Sequence, residues 1–172
     1  MVKLEIVRGY VPGAIGRIVE LHGIYYAAHW GFSAFFEARM ARELADFVDR
    51  YDGKRDGLWT AVSGGRIVGS IAIDGLRAHD EGAHLRWFSL DADQRGRGAG
   101  GCLLEEALQF CRACGHPSVT LWTFAGLDTA RRLYERAGFH LAEERRGKQW
   151  GTEVTEQRFE LLLQGTPGPA GR

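Results

Sequence analysis

Apolar residues recur along the chain with two different spacings, and the two spacings predict two kinds of secondary structure. Alternating or short continuous apolar runs predict strands. These cover residues 2–8, a hairpin over 58–75 that turns at Ser63, Gly64 and Gly65, and then residues 83–90, 118–124, 139–145 and 155–163. Apolar residues three and four positions apart predict helices that bury one face. The helices follow Pro12 and Ser33, and then cover residues 101–115 and 127–138.

The predicted elements follow one another as strand, two helices, three strands, helix, strand, helix and two strands. This order is typical of an α/β fold with a mixed sheet. The chain has 172 residues, of which 45% are hydrophobic and 26% charged, and this is enough for one core. We therefore predict a single domain over residues 1–164. The tail at residues 165–172, with the sequence GTPGPAGR, is predicted to be disordered.

Charge and cysteine usage exclude several classes of protein. Lys plus Arg and Asp plus Glu number 22 each, so no overall basic field is present to bind a nucleic acid or an anionic membrane. The sequence shows neither a secretory signal nor a membrane span, and we expect a cytoplasmic protein. Cys102, Cys111 and Cys114 fall in one predicted helix. A lone CxxC near the end of that helix cannot complete a zinc tetrad, so we expect packing cysteines and no metal.

The stretch DADQRGRGAGG, residues 91–101, joins the strand that ends at Leu90 to a helix that begins near Gly100. Such a junction leaves backbone N–H groups free at a helix N-terminus, where the helix dipole also favours an anion. Arg95 and Arg97 can add charge-assisted contacts, and a diphosphate fits this loop best. The alternative is a tight turn that needs its glycines only for shape.

Two other phosphate loops are poor matches. A dinucleotide-binding G-x-G-x-x-G turn belongs directly after the first strand of a βαβ unit, with an acidic residue about 20 positions further on. Here four strands come first, and the next strand ends in LWTF without a carboxylate. A Walker loop requires Gly-Lys followed by Ser or Thr, and this sequence lacks it.

Two segments resemble the GNAT superfamily of N-acetyltransferases. SLDADQRGRGAGGCLL is similar to the acetyl-CoA signature of that superfamily, which falls here on Arg95, Gly98 and Gly100. ARRLYERAGF is similar to a second GNAT segment, and its matching positions are Ala130, Leu133, Tyr134, Gly138 and Phe139. Residues 16–32 and 85–91 further resemble the GNAT domain found fused to MarR-type regulators. The resemblance implies a GNAT fold, with a mixed, mostly antiparallel sheet of six to seven strands flanked by about four helices.

The resemblance also implies acetyl-CoA as co-substrate and assigns residues to it. The backbone of Phe88, Ser89 and Leu90 would bind the pantetheine arm. The pyrophosphate would be held by the amides of a continuous run, namely Arg95, Gly96, Arg97, Gly98, Ala99 and Gly100. An Asn that often precedes the second segment is replaced by Leu127, which leaves the strength of cofactor binding open. Asp128 is expected to cap the following helix.

Acetyl transfer to an amine requires that the amine first lose its proton. A lysine-like amine of pKa about 10.4 is neutral at pH 7 only about 0.04% of the time, so a base or a water chain is needed. The resemblance implies Tyr134 as the general acid for the CoA sulfur. Glu81, near the start of a strand, and His84 are candidate bases, and His84 can titrate near neutrality. By alternation, His84, Arg86 and Phe88 are predicted to share one face.

The acceptor site and the reaction remain open between alternatives. Tyr26, His29, Trp30 and Phe32 are candidate acceptor-binding residues, Glu37 is a candidate for attracting a cationic amine, and the charged hairpin at residues 143–151 can border that site. The predicted function is transfer of acetyl to a primary amine of a small molecule or protein, without a metal. A non-catalytic acyl-CoA-binding or regulatory module is the alternative. A homodimer is possible, and neither nucleic acid nor membrane is an expected partner.

Overall fold

The structure, a computed structural model, describes residues 3–163, so the predicted disordered tail at 165–172 lies outside the described residues. The strands are β1 (Leu4–Arg8), β2 (Gly57–Ser63), β3 (Arg66–Asp74), β4 (Ala83–Leu90), β5 (Ser118–Phe124), β6 (His140–Gly147) and β7 (Val154–Leu162). The helices are α1 (Ala14–Trp30), α2 (Ala34–Asp49), α3 (Ala78–Glu81), α4 (Ala99–Ala113) and α5 (Asp128–Arg136), with a 3₁₀ turn at Ala92–Gln94.

The strands form one sheet in the order β1-β2-β3-β4-β5-β7-β6. Every neighbouring pair is antiparallel except β4 and β5, which run parallel. This confirms the predicted α/β class and the mixed, mostly antiparallel sheet. The four long helices were predicted, whereas α3 and the 3₁₀ turn are too short to show a helical period in the sequence.

The helices bury their apolar faces on opposite sides of the sheet. On one side α4 and α5 cover a core that includes Leu103, Leu108 and Phe159. On the other side α1 and α2 cover a second core, in which Ile18 and Leu44 are fully buried. The sheet is therefore a middle layer, and any opening between its strands leads into a space walled by helices.

β4 and β5 separate soon after they meet. They pair only at Ala83 with Val119 and at His84 with Thr120. The other edge of β4 stays paired with β3 as far as Gly69 and Leu90. The second half of β4 therefore has one edge that faces β5 across a gap.

A bulge in β4 lies at the point where the strands separate. The β3–β4 register shifts between Ser70 and Ala72, and Trp87 adopts a φ of 48°, which is uncommon for a residue other than glycine. The hydroxyl of Ser70 donates a hydrogen bond of 2.7 Å to the carbonyl oxygen of Trp87. The bulge is therefore held by a buried side chain on the neighbouring strand.

The bulge changes which side of the sheet each β4 side chain faces. Arg86 reaches Glu43 on α2, and the ring of Trp87 lies 5.4 Å from that of Phe47 on the same helix. Phe88 instead faces α5, where its ring lies 6.0 Å from that of Tyr134. The prediction that His84, Arg86 and Phe88 share one face is therefore wrong, because the extra residue breaks the alternation.

The three cysteines have different environments. Cys111 is buried in the core, and this burial raises the pKa of its thiol to about 12. Cys114 is partly buried, whereas Cys102 is exposed, so the packing interpretation is wrong for Cys102. Within residues 3–163 no group of three or more His, Cys, Asp or Glu side chains is placed to hold a metal ion. No helix of that part of the chain is long and apolar enough to cross a membrane.

A buried histidine on α1 makes folding stability depend on pH. His22 is 5% exposed, its Nδ1 lies 2.8 Å from the Ile18 carbonyl oxygen, and burial lowers its pKa from 6.5 to about 4. The unfolded chain therefore binds the proton first, and stability falls as the pH drops from 6.5 towards 4. We expect His22 to contribute about 2 kcal/mol to the loss in unfolding free energy between pH 7 and pH 5.

Urea unfolding of His22→Gln at both pH values measures this contribution. The variant should lose less stability on acidification than the wild type does. His140→Gln is the control, because His140 is exposed on β6. An equal loss for His22→Gln and the wild type would contradict the assignment.

Candidate active site

A cleft of about 890 Å³ occupies the gap between β4 and β5. Its walls are formed by β4, β5, α1 and α2, by the start of α4, by α5 and by the β6–β7 hairpin. The cleft exists because parallel strands that diverge leave no side chains between them to fill the space. It brings residues from seven separate elements of the chain to one place.

The glycine-rich turn forms the mouth of the cleft at the start of α4. Gly98 is the N-cap residue, with a φ of 83°, and the first intrahelical bond runs from the Cys102 N–H to the Gly98 carbonyl at 3.0 Å. The amides of Ala99, Gly100 and Gly101 precede that bond and have no acceptor within the helix. Gly98, Gly100 and Gly101 line the cleft, so these amides are placed to bind an anion there.

Gly100 also sets the distance between α4 and α5. A Cβ atom at this position would lie 3.3 Å from Leu133 Cδ1 and 3.7 Å from the ring of Phe88. Glycine therefore lets the amide-rich turn come close to α5, which is the wall that carries Tyr134.

The two arginines of the turn differ in position. Arg95 lines the cleft, where its guanidinium lies 4.5 Å from the Tyr25 ring centroid and its Nε donates to the Leu90 carbonyl at 3.1 Å. Arg97 is exposed and is not part of the cleft wall. Of the two predicted charge contacts, the structure places only Arg95 at the cleft.

The end of β4 forms the long wall opposite β5. Phe88, Ser89 and Leu90 all line the cleft, as do Trp122 and Thr123 on β5. Beyond His84 the two strands share no ladder pairing, so the β5-facing edge of β4 presents its main-chain groups to the cleft. An extended chain with amide groups, such as pantetheine, matches such an edge.

Tyr134 on α5 is the buried hydroxyl of this site. Its side chain lines the cleft although the residue is only 5% exposed, and its ring packs on Phe139 at 5.8 Å and on Phe159 at 6.2 Å. Burial raises the pKa of the Tyr134 phenol above its ordinary value of 10. The hydroxyl therefore keeps its proton at neutral pH and can donate it.

The start of α5 differs from expectation. Leu127 occupies the N-cap position and lines the cleft, and no side-chain hydrogen bond caps this helix. Asp128 is the first residue of α5, so the prediction that it caps the helix is wrong. Its carboxylate in the first turn is still favourable for the helix dipole.

The two candidate bases lie in different places. His84 lines the cleft, and burial, together with the charge of Arg86, lowers its pKa from 6.5 to about 4. The ring is therefore neutral at pH 7, which differs from the expectation of a histidine that titrates near neutrality. Glu81 lies in α3, is exposed, and pairs with Arg77 at 2.9 Å. Glu81 precedes β4 and does not line the cleft, so the structure does not bring it to the site.

Of the four aromatic candidates for the acceptor site, only Tyr26 lines the cleft. Phe32 is 4% exposed and belongs to the α1–α2 core. Trp30 packs on Phe124 at 5.2 Å, and His29 is exposed, with its ring 4.3 Å from that of Tyr25. Tyr26 packs inward on Phe124. The helical period alone does not predict that His29 differs, because residues three positions apart lie near the same face of a helix.

Glu37, the candidate for attracting a cationic amine, is exposed on α2. It borders a separate groove between α1 and α2 rather than the cleft. The hairpin at residues 143–151 does border the cleft, through Gln149 and Trp150.

Sequence reasoning missed a charged cluster in the cleft wall. Glu43 accepts a hydrogen bond of 2.8 Å from Arg39 Nε and also pairs with Arg86. All three side chains line the cleft. The signals in the sequence were an i,i+4 Arg–Glu pair on α2 and one arginine in β4, but only the fold shows that they meet.

Two solved structures that share this fold are named acetyltransferases. An acetyltransferase from Streptococcus agalactiae superposes with a TM-score of 0.70, at 22% identity, over 93% of this chain and 98% of its own. An acetyltransferase from Salmonella typhimurium, determined with its cofactor acetyl-CoA, gives a TM-score of 0.72 at 15% identity, over 98% of this chain and 99% of its own. The architecture is therefore the acetyltransferase fold.

Sequence comparison identifies the family. The model of the acetyltransferase (GNAT) family matches residues 18–139, and the chain belongs to this family. N-acetylaspartate synthetase of Xenopus tropicalis is 31% identical over 117 residues, which are 67% of this chain and 42% of the relative. An uncharacterized N-acetyltransferase of Methanocaldococcus jannaschii is 26% identical over 153 residues, 86% of this chain and 66% of the relative.

The chain spans between about two fifths and two thirds of the length of these two curated relatives. Neither relative is named as a domain of a MarR-type regulator, so that narrower resemblance has no support from them.

Proposed function

We propose that the protein is an acetyl-CoA-dependent N-acetyltransferase that transfers acetyl directly to a primary amine. One observation carries this proposal: the free amides at the start of α4 and the buried hydroxyl of Tyr134 open onto the same gap between β4 and β5. The amides of Ala99, Gly100 and Gly101 would bind the diphosphate, and the edge of β4 at residues 88–90 would hold the pantetheine arm. Acetyl-CoA supplies the activated thioester when bound.

Tyr134 would donate its proton to the coenzyme sulfur as the thiolate leaves. A phenol whose pKa is raised by burial remains a donor throughout the neutral range. His84, neutral at pH 7, can accept a hydrogen bond from the incoming amine, but its low pKa makes it a weak final acceptor for the proton. Water in the open cleft would carry that proton away.

The comparisons support the reaction class. A relative named for the synthesis of N-acetylaspartate forms an N-acetyl product, and the Salmonella acetyltransferase of the same fold was determined with acetyl-CoA. A non-catalytic acyl-CoA-binding module is the second candidate, favoured by Leu127 at a position where the family often has an amide side chain.

Release of coenzyme A in the presence of an amine panel tests the proposal. The panel should include amino acids, polyamines, aromatic amines and peptides with free N-termini, with acetyl-CoA affinity measured by calorimetry in parallel. Turnover with at least one amine supports the enzyme. Tight acetyl-CoA binding without turnover on any amine supports the module, and no binding at all rejects both.

The pH profile of kcat/KM tests the role of His84. Because its pKa is about 4, we expect the rise of kcat/KM above pH 6 to stay in place in His84→Ala, with a fall in kcat/KM of less than about tenfold. His79→Ala is the matched control, because His79 is exposed on α3 and does not line the cleft. A rise near pH 6 to 7 that disappears only in His84→Ala would show that His84 is the base.

A further inference from the structure

Two arginines in the cleft share a single carboxylate. Glu43 accepts from Arg39 Nε at 2.8 Å and pairs with Arg86. A second carboxylate, that of Asp74, lies 3.9 Å from Arg86 but accepts from Arg50 at 2.5 Å. Counting Asp74 with Arg50 as one neutral pair, the cleft-facing group of two arginines and Glu43 has one positive charge in excess.

The arginine nearest the strands is shielded from water and held in one orientation. The side chain of Arg86 is 20% exposed, and its guanidinium carbon lies 4.2 Å from the Trp87 ring centroid. Burial lowers the pKa of Arg86, yet a guanidinium in a protein remains charged at neutral pH. His22 and His84, the two histidines that line the cleft, are neutral at pH 7, so they do not compete for an anion.

Arg86 and Tyr134 are separated by the bulge in β4. Arg86 precedes the bulge and faces α2, whereas Phe88, which packs near Tyr134, follows it. Arg86 precedes Phe88 by two residues across the bulge, and the Phe88 ring lies 6.0 Å from that of Tyr134. An acceptor whose amine approaches the end of the pantetheine channel would therefore extend its remaining groups towards Arg39 and Arg86.

We propose that the acceptor carries a carboxylate in addition to its amine, and that Arg39 and Arg86 bind this carboxylate. The inference rests on the proposed function and narrows the acceptor to amino-acid-like amines. Planar guanidinium groups match the two oxygens of a carboxylate, and the excess positive charge disfavours polyamines. Glu43 holds the two arginines near each other, so that the site exists before the acceptor arrives.

Matched acceptors measure the proposed selectivity. The panel consists of α-amino acids, their α-amides and the corresponding amines that lack the carboxyl group. For wild-type protein, kcat/KM for the acid should exceed that for the amide by about 10- to 100-fold. Arg86→Gln and Arg39→Gln should each reduce that ratio about tenfold or more, mainly through KM. Arg42→Gln is the control, since Arg42 is exposed on α2 and outside the cleft wall.

Product binding gives a readout that does not require turnover. Calorimetry on protein saturated with coenzyme A compares N-acetyl amino acids with their amides, for the wild type and the same variants. Circular dichroism and Tm identify a variant that fails to fold. If Arg86→Gln fails to fold, Arg39→Gln still tests the site, because Arg39 is the more exposed of the two arginines.

The outcomes separate the two proposals. Equal turnover or binding of acid and amide by the wild type would overturn the carboxylate site and leave the acetyltransferase proposal standing. An acid preference that survives unchanged in folded Arg39→Gln and Arg86→Gln would also overturn it. Absence of turnover on every amine would reject the acetyltransferase, whereas preferential binding of N-acetyl amino acids would still support the carboxylate site.

Discussion

Gly98→Asp is expected to weaken acetyl-CoA binding by at least about 100-fold. Gly98 is the N-cap of α4, and the amides that follow it have no acceptor within the helix and are available to a diphosphate. An aspartate at this position places a carboxylate beside those amides, where it accepts their hydrogen bonds itself and repels the phosphates. Loss of two charge-assisted hydrogen bonds, each about 1.5–3 kcal/mol, accounts for this magnitude.

Gly65→Asp is a matched control for this prediction. Gly65 and Gly98 have φ values of 75° and 83°, and neither has an atom within 4 Å of an added Cβ. The substitutions should therefore strain the backbone similarly, by about 1–2 kcal/mol in unfolding free energy. Calorimetric titration with acetyl-CoA should separate them, because Gly65 lies in the β2–β3 turn. Unchanged affinity in Gly98→Asp would remove the turn from the cofactor site.

Tyr134→Phe is expected to lower kcat more than tenfold at neutral pH while leaving the Kd for acetyl-CoA nearly unchanged. The substitution removes only the hydroxyl, and the ring contacts with Phe88, Phe139 and Phe159 remain available. A general acid contributes about 10²–10⁴-fold to a rate, and departure of a thiolate requires less help than departure of a stronger base. A reduction near the lower end of this range is therefore the expected size.

The effect of Tyr134→Phe should be constant between pH 6 and pH 9. Burial raises the pKa of Tyr134 above 10, so the hydroxyl does not titrate in that window. Steady-state rates across the window measure this, with Tyr10→Phe as the control on an exposed tyrosine. A kcat equal to that of the wild type would exclude Tyr134 from the reaction.

The sequence predicted the long elements because their patterns are local. α4 and β5 carry enough periodic apolar residues to be recognised without knowledge of their partners. The turn between β4 and α4 was recognised from its glycines and arginines at the start of a helix. Tyr134 was found through its similarity to a family segment. These predictions depend on residues close to one another in the chain.

The remaining features depend on contacts between distant residues. The bulge at Trp87 is set by pairing with Ser70 and Ala72 on β3, so alternation alone placed Phe88 on the wrong side. The pKa of His84 depends on how deeply the fold buries it, which a strand pattern does not show. Glu43 and Arg86 are 43 positions apart, and their meeting requires α2 to pack across β4.

The extra residue in β4 lets neighbouring side chains of one strand face two different parts of the cleft. Arg86 and Trp87 face α2, on the side proposed to receive the amine, whereas Phe88 faces the helix that carries Tyr134. Substitutions of Arg86 should therefore change which amines are acetylated without weakening acetyl-CoA binding. Substitutions of Phe88 should weaken acetyl-CoA binding without changing the choice of amine. Selectivity for the acceptor can therefore be redesigned at one end of β4 while the acetyl-CoA site at the other end is left unchanged.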